Sequence, residues 1–236
     1  FQSWCRRAGS PAPPPPWQGW LCLAAGLAAC WPLGPWLADR WLNWEGQWPS
    51  ALALLAALVF WTRMLTSGPA APPAPPFFFA AAGLFVFYAA CAGRMPLLLG
   101  YGVAAAGLAA VFLALLPQNR RREMWALPLL IVLSLPVMPS VQFVFGYPLR
   151  AAAAHLAALW LPGVDAAGAG LADGARTVFV DPPCSGLRML WAALVLGCLC
   201  ALALRLSGMR TLAVLVLATI LAILGNGIRA AALFLA

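Results

Sequence analysis

Long, uninterrupted apolar runs are the dominant pattern in this chain of 236 residues. A helix of about 20 apolar residues crosses a bilayer, and seven runs bounded by charged residues, proline or glycine approach that length. They lie at residues 17–37, 48–65, 77–93, 95–116, 124–139, 184–206 and 211–224, and the last can continue to residue 236. The pattern predicts an all-α fold, a polytopic transmembrane bundle of about seven spans.

The segments around these runs divide the chain into four parts. Residues 1–16 are basic and rich in proline, which predicts a short cytoplasmic N-terminus. Five spans follow in residues 17–139, with a second proline-rich linker at 69–76. Residues 140–183 form the longest interval between runs, and residues 184–236 hold the last two spans.

The interval 140–183 contains two different patterns. Gly146–Trp160 is rich in alanine and leucine but carries Arg150 and His155, so it is too short and too polar to cross a membrane comfortably. It predicts an interfacial or re-entrant helix. Residues 163–183 combine glycines with the β-branched stretch Thr177–Val180, which predicts a short hairpin or loop on the membrane surface.

Composition excludes most other classes of protein. Hydrophobic residues make up 64% of the chain and charged residues only 8%, whereas a soluble domain carries about 25% charged residues. Such a chain cannot build a water-exposed surface, and its surroundings must be a lipid bilayer. A soluble globular protein, a nucleic-acid-binding protein and a disordered tail are therefore all excluded.

The net charge of +8 indicates the orientation in the membrane. With the N-terminus in the cytoplasm, the inner segments hold eight arginines and one glutamate, and the outer segments hold six arginines and five acidic residues. The excess of arginine on one side predicts an N-in topology by the positive-inside rule. The interval 140–183 then lies on the outer face of the membrane.

The seven cysteines give no sign of a metal site or a disulfide framework. They show neither a Cys-x-x-Cys spacing nor a Cys/His ligand pattern, and we expect no metal and no cofactor. They are Cys5, Cys22, Cys30, Cys91, Cys184, Cys198 and Cys200.

Cys184 differs from the other cysteines in its setting. The run Asp181–Pro183 before it is typical of a helix start, which predicts Cys184 in the first turn of the sixth span. The free N–H groups and the helix dipole there favour a thiolate, and Arg188, four residues on, would add positive potential from the same face. Cys184 is therefore a candidate nucleophile. The alternative is a small buried apolar residue, as expected for the other cysteines.

Asn226 and Arg229 form a second candidate feature, at the outer end of the seventh span. Their spacing of three residues puts them on one helix face, at the membrane level of Cys184. Ionisable residues at membrane depth usually face the bundle interior and are functional. The alternative is an interfacial Arg229 that extends to the lipid headgroups.

These motifs together resemble the exosortase/archaeosortase family. The resemblance covers about residues 146–229 and is carried by Tyr147-Pro148-Leu149-Arg150, Gly163-Val164, Asp181-Pro182-Pro183-Cys184-Ser185-Gly186-Leu187-Arg188 and Asn226-Gly227-Ile228-Arg229. It implies a multi-spanning enzyme that resembles sortases in chemistry but not in fold. Its substrates would be exported proteins with C-terminal sorting signals (a short motif, a transmembrane helix and a basic tail) such as the PEP-CTERM type.

The resemblance also implies residue roles. Cys184 would be the nucleophile and Arg229 the catalytic arginine, with Asn226 and Arg188 as supporting residues that position the pocket. The family's histidine follows the Asn-x-x-Arg motif, but this chain has none there. Because the chain begins at Phe1 and stops inside an apolar run, we expect a fragment of a longer protein with an eighth span. The alternative is a catalytically impaired variant.

Three other candidates for the chemistry are weaker. His155 is the single histidine; it precedes Cys184 and is more typical of the polar side of a helix. Asp165, Asp173 and Asp181 are spaced so that neither a helix nor a strand pairs their carboxylates, and turn or cap roles fit them better. Ser185 lacks a downstream histidine to activate it.

The sequence therefore predicts a cysteine transpeptidase or protease of exosortase type in a bacterial inner membrane. Its active site would face the periplasm, and the acyl group of the cleaved protein would pass to an acceptor. The rival hypothesis is a non-enzymatic membrane carrier or scaffold for export of surface polysaccharide or protein. The rival predicts an unreactive, dispensable Cys184.

Overall fold

A computed structural model describes residues 33–43, 48–66, 75–91, 93–94, 96–116 and 124–235, together with positions 21, 24, 25 and 28. Eight α-helices lie in these ranges, as the all-α prediction expects. They are α1 (Leu33–Asn43), α2 (Trp48–Thr66), α3 (Pro75–Cys91), α4 (Leu97–Leu115), α5 (Ala126–Leu133), α6 (Met138–Ala158), α7 (Leu187–Ala203) and α8 (Gly208–Leu235).

Five of these helices match predicted apolar runs. Helices α2, α3, α4 and α7 each begin and end within three residues of their predicted runs, and α8 continues to Leu235. Pro75 and Pro76, predicted as linker, instead form the first turn of α3, where proline is tolerated because its missing N–H has no helical partner. The predicted N-terminus and most of the first predicted span lie outside the described residues.

The predicted span 124–139 is wrong as a single helix. Helix α5 ends at Leu133 and α6 begins at Met138, and the two are bent by 96°. Pro136 lies in the break, where it disfavours the helical conformation of the residue before it. Helix α6 consequently starts eight residues before the predicted interfacial helix and includes Pro148 in its interior.

Helix α8 alone, within the described ranges, is both long and apolar enough to cross a membrane. The bent pair of α5 and α6 would make a second span if it counts as one. Large apolar side chains lie exposed along α8, a surface suited to lipid: Leu212, Val216, Leu217, Ile220, Leu221, Leu224 and Ile228. The count of seven spans and the interfacial position of α6 stay predictions.

The chain forms two compact units, and residues 1–34 and 59–122 make up the first. Its described part contains the packed pair α3 and α4. Gly107 of α4 lies against the ring of Phe85, where a Cβ would be 2.9 Å from Cε1. The indole of Trp61 stacks on Phe112 with ring centroids 4.4 Å apart. Apolar and aromatic contacts thus fill the core of this unit.

Residues 35–58 and 123–236 make up the second unit. Helix α8 packs against both α6 and α7, and α5 packs against α7. A glycine permits the close approach of α8 to α6, because a Cβ on Gly227 would lie 2.7 Å from Cβ of Leu156. The indole Nε1 of the buried Trp191 donates to the Leu133 carbonyl at 3.1 Å and so ties α7 to the end of α5.

A small sheet follows α6 in the interval where a short hairpin or loop was predicted, and its position at the membrane surface stays a prediction. Its strands are β1 (Asp165–Ala167), β2 (Gly170–Ala172) and β3 (Thr177–Phe179), antiparallel and in sequence order. Leu171 of β2 is buried in a cluster with residues of α6 and α8. The sheet is thereby anchored beside the segment that leads from β3 to Cys184.

Candidate active site around Cys184

Cys184 lies at the end of a short 3₁₀-helix, Pro182–Cys184, and not in the first turn of α7. The predicted helix start is therefore wrong by three residues, since α7 begins at Leu187. Asp181 occupies the position before the 3₁₀-helix, but its carboxylate makes no capping hydrogen bond. The turn closes through the main chain, where the N–H of Cys184 donates to the Asp181 carbonyl at 2.8 Å.

Gly186 lies between the 3₁₀-helix Pro182–Cys184, called the cysteine turn below, and the start of α7. Its φ of +80° is in the left-handed region that favours glycine. A Cβ there would lie 2.5 Å from Cγ of Asn226, so both the conformation and the close approach require glycine. Because Gly186 redirects the chain, Cys184 and Arg188 do not share the helix face that their spacing predicted.

Two side-chain amides, one from α6 and one from α8, donate hydrogen bonds to the cysteine turn. Gln142 Nε2 of α6 donates to the Pro182 carbonyl at 2.9 Å. Asn226 Nδ2 of α8 donates to the Cys184 carbonyl at 3.1 Å. Both acceptors belong to the 3₁₀-helix, so the backbone under the thiol is fixed by bonds to residues 40 and 42 positions away in sequence.

The Cys184 side chain is half-buried and packs against a cluster of small apolar residues. The cluster includes Ala153, Ala154 and Ala157 of α6. Alanines at these positions leave room for the turn to lie close to the helix, and Cys184 as a whole keeps intermediate exposure. Cys200 of α7 is exposed and Cys198 is buried, so Cys184 has intermediate exposure among these three.

Asn226 is buried, with 4% of its surface exposed, and lies in the interior of α8. Its Oδ1 has no hydrogen-bond partner in the described part of the chain. Arg229, one turn further, is exposed. The predicted shared face is thus only partly correct, because the amide turns into the helix packing and the guanidinium lies outside it.

The side chains of the two arginines predicted at the site are not held by a neighbouring residue in the described part of the chain. Arg188 and Arg229 are exposed, and neither forms a hydrogen bond or ion pair with any residue that the structure describes. A guanidinium without a partner can bind an anion or a developing oxyanion. Arg150 is instead used locally, since its Nε donates to the Gly146 carbonyl at 3.3 Å.

His155 lies on the exposed side of α6. Ala153, Ala154 and Ala157 are buried on one side of this helix, while His155 is exposed and roughly opposite to them. The imidazole is therefore turned away from the cluster against which Cys184 packs. This position is that of the polar side of a helix, as the sequence favoured.

Arg176, on the loop between β2 and β3, fastens the sheet to α8. Arg176 Nε lies 3.1 Å from Asp173 Oδ2, and Arg176 Nη2 donates to the Phe234 carbonyl at 2.9 Å. Hydrogen bonds from the Arg176 and Ala175 N–H groups, together with the Arg176 charge, hold the pKa of the Asp173 carboxyl below its usual value. Asp173 thus has a turn role, as predicted.

A small cleft adjoins the cysteine turn, and its free volume of about 10 Å³ has room for roughly one water molecule. Apart from Ser185 and Asn226 its lining is apolar or glycine, and no charged side chain contributes to it. The lining residues are Leu149, Ala153, Ser185, Gly186, Leu190, Ala222, Ile223 and Asn226. Elsewhere in the described ranges, His, Cys, Asp and Glu side chains form no group of three that could hold a metal ion.

A family model described as "Transmembrane exosortase (Exosortase_EpsH)" matches residues 41–236. The chain belongs to this family. The match spans every element of the site described above. No curated protein and no solved structure matches the chain.

As a member of the family, the chain is a membrane protein, and the family generally acts as membrane transpeptidases or proteases on exported proteins with sorting signals. The sequence had singled out Cys184 and Asn226 separately, and the structure brings the amide of one to the main chain of the other. Gln142 and Gly186 were missed. Gln142 is the one amide in the apolar stretch that begins α6, and such isolation in a membrane segment is itself a signal.

Proposed function

We propose that this exosortase cleaves C-terminal sorting signals by cysteine chemistry, with the Cys184 thiolate as nucleophile. The observation that supports this most is the pair of amides that bond the backbone carbonyls of Pro182 and Cys184, while Cys184 as a residue is half-buried. A nucleophile must be held in one geometry and still reach the substrate.

The reaction has two steps. The Cys184 thiol gives its proton to a base, and Sγ bonds to the scissile carbonyl carbon; the C–N bond then breaks, the leaving amine takes up one proton, and the acyl group remains as a thioester. An amine or hydroxyl of the acceptor next attacks the thioester carbon. Cys184 leaves as a thiolate, and the acceptor's proton is released.

Arg229 is the proposed partner of the oxyanion. Its guanidinium is exposed and without a hydrogen-bond or ion-pair partner among the described residues, one turn from the Asn226 amide that bonds the Cys184 carbonyl. A cationic N–H donor at the developing negative charge lowers the barrier of acyl transfer. Arg188, exposed at the start of α7, would add to the positive potential.

The substrates that we propose are those expected from membership of the family. The substrates are exported proteins whose C-terminal signal contains a short motif, a transmembrane helix and a basic tail, as in the PEP-CTERM type. The enzyme would span a bacterial inner membrane several times with its N-terminus in the cytoplasm. Its site would then face the periplasm.

Replacement of Cys184 tests the mechanism. An exported, tagged reporter with a sorting signal from the same cell is co-expressed with full-length enzyme, and its cleavage is followed by gel mobility. We expect Cys184→Ala to abolish cleavage and Cys184→Ser to leave at most a trace, because a hydroxyl is a far weaker nucleophile at neutral pH. Cys200→Ala, at an exposed cysteine on α7, is the matched control and should cleave normally. Undiminished cleavage by Cys184→Ala would overturn the mechanism.

The proposed side of the membrane can be measured with the same cysteine. The other six cysteines are replaced by alanine, and a membrane-impermeant maleimide is added to intact spheroplasts. Labelling of Cys184 before lysis supports a periplasmic site. Labelling only after lysis would place the thiol on the cytoplasmic side, and no labelling in either case would favour the non-enzymatic scaffold.

A further inference from the structure

The small sheet after α6 has one covered edge and one open edge. Strand β1 packs against α6. Strand β3 is the other outer strand of the sheet, and all three of its residues are exposed. Val178 and Phe179 have 39% and 69% of their surface exposed. The side of β3 that is turned away from β2 is therefore accessible in the described part of the chain.

Two hydrogen bonds, one at each end of β3, determine which of its backbone groups point to β2. The Val180 N–H donates to the Ala169 carbonyl at 2.8 Å, and the Asp173 N–H donates to the Arg176 carbonyl at 3.2 Å. In an antiparallel pair, such hydrogen-bonded residues alternate with residues whose N–H and carbonyl groups point away from the partner strand. Both bonds give the same result, that the even-numbered residues from 176 to 180 bond β2.

Thr177 and Phe179, the odd-numbered residues of β3, therefore turn their N–H and carbonyl groups to the open edge. None of these four groups bonds another described residue. The strand contains neither a charged residue nor a proline, the usual means by which an edge is kept from pairing with a further chain. Arg176 beside it is held by Asp173 and by the Phe234 carbonyl. The edge is short, which limits pairing to a segment of a few residues.

The open edge leads directly to the proposed nucleophile. Phe179 and Cys184 are five residues apart, so their Cα atoms lie within about 18 Å of each other even if the chain between them is fully extended. Val180 at one end of this link is buried and bonded to β2. The cysteine turn at the other end accepts the Gln142 and Asn226 amides. A peptide of about six extended residues is long enough to cover both the edge and the thiol.

We propose that the extended segment of a sorting signal, which precedes its transmembrane helix, binds as an added strand on the open edge of β3 and reaches Cys184 from there. N–H groups of the substrate bond the carbonyls of Thr177 and Phe179, and substrate carbonyls accept from the N–H groups of the same two residues. Strand addition is a recurring way to recognise an extended peptide. The inference rests on the proposed function, because it requires a peptide substrate at Cys184.

The Phe179 ring gives this edge a preference among substrates. Side chains alternate between the two faces of a sheet. Leu171, opposite Val178, is buried against α6 and α8, so Phe179 lies on the other, outer face. Its ring lies over Gly170, where a Cβ would be 3.1 Å from Cε1. A substrate residue paired with Phe179 places its side chain beside the exposed ring, and we expect an apolar or aromatic residue there.

A main-chain scan of the substrate tests the added strand. Synthetic sorting-signal peptides, each with one N–H near the cleavage point replaced by an ester oxygen, are offered to the full-length enzyme in proteoliposomes. The scissile bond itself stays an amide. We expect two sensitive positions two residues apart, because only every second residue of a strand bonds one neighbour. Each should lower kcat/KM about three- to tenfold, the scale of one hydrogen bond.

Two variants at Thr177 test the same edge from the side of the enzyme. Thr177→Pro removes an N–H that points away from β2, a position at which an edge strand tolerates proline. Thr177→Val is the matched variant, since it loses the hydroxyl but keeps the N–H. We expect kcat/KM of Thr177→Pro to be about tenfold below that of Thr177→Val. Cys184 should react with a small maleimide at the same rate in both, because the cysteine turn is unchanged.

The outcomes separate the two proposals. A scan of the wild-type enzyme with no sensitive position, or with sensitive positions next to each other, would overturn the added strand, and this arm needs no variant to fold. Equal kcat/KM values for Thr177→Pro and Thr177→Val would overturn it as well. Failure of the enzyme to cleave the all-amide peptides would instead count against the proposed function.

Discussion

The helix pair α3–α4 and the helix pair α6–α8 both pack closely through a glycine, Gly107 in the first pair and Gly227 in the second. The glycine of the first pair meets the tip of an aromatic ring, and its neighbours are apolar. The second pair in addition directs two amides, Gln142 and Asn226, at one loop. Close packing is thus common to both units, and the polar bonds to the Cys184 turn distinguish the region where chemistry is proposed.

The difference matters because polar groups are costly inside a membrane protein. Close helix contact through small residues is sufficient to hold a membrane bundle together. The Gln142 and Asn226 amides donate to backbone carbonyls of the Cys184 turn and not to a neighbouring helix. Their hydrogen bonds therefore stabilise the position of Cys184. Substitution of Gly186, which lies against Asn226 beside the Cys184 turn, and of Gly107, which lies between α3 and α4, should therefore have different consequences.

Gly186→Ala should have the largest effect of these substitutions. The left-handed conformation costs a residue with a Cβ about 1–2 kcal/mol, and the methyl group would also overlap Asn226 and displace the amide from the Cys184 carbonyl. We expect loss of most reporter cleavage and a lower thermal unfolding temperature in detergent.

Gly107→Ala is the matched comparison in the first unit. Its Cβ would meet the outer edge of the Phe85 ring, a flexible side chain, and alanine favours the helix by about 1 kcal/mol over glycine. We expect stability close to that of the wild type and normal cleavage. Equal loss of cleavage in both variants would contradict a special role for the Cys184 turn.

The contrast between the units also shows how far the sequence determines the fold. Continuous apolar runs predict α2, α3, α4, α7 and α8 to within a few residues at most ends, because a run of that length is sufficient to define a helix. The break between α5 and α6 was missed although Pro136 marks it. A prediction from apolar runs ignores a single helix-breaking residue within the run, so it gives one helix where the chain forms two.

The site was predictable in its residues but not in its geometry. The Cys184 block and Asn226 stand out as motifs, yet their hydrogen bond joins positions 42 apart, and no local pattern encodes such a contact. The predicted face shared by Cys184 and Arg188 assumed an unbroken helix. Gly186 interrupts it, and the Ser-Gly pair was the available signal for that turn.

The anchor of the sheet loop should give a smaller, pH-dependent effect. Hydrogen bonds from the Arg176 and Ala175 N–H groups, with the Arg176 charge, lower the pKa of Asp173 from its ordinary 3.8 in the folded protein. The ionised carboxylate therefore stabilises the fold above about pH 4, and this contribution is lost as the pH falls through the lowered pKa. Because Asp173 is exposed, the effect should be modest and weaken with salt.

Thermal unfolding of Asp173→Asn between pH 3 and 7 measures this contribution. The variant should unfold at a lower temperature than the wild type at neutral pH and converge with it below pH 4. Asp165→Asn is the control, since Asp165 lies on the same sheet, is exposed and forms no ion pair in the described ranges. A difference that is the same at every pH would contradict the assigned role of the carboxylate.

His155→Ala should have the smallest effect on cleavage. The imidazole is exposed on α6, roughly opposite the alanines of the cluster against which Cys184 packs, so it has no route to the thiol without rotation of the helix. We expect kcat/KM within about twofold of the wild type and an unchanged pH profile. A loss of a hundredfold or more, the scale on which general acid–base residues act, would make His155 the proton carrier and require α6 to turn during catalysis. The comparison of the two helix pairs would then need revision, because the Gln142 amide that fixes the turn from α6 would belong to a moving part of the site.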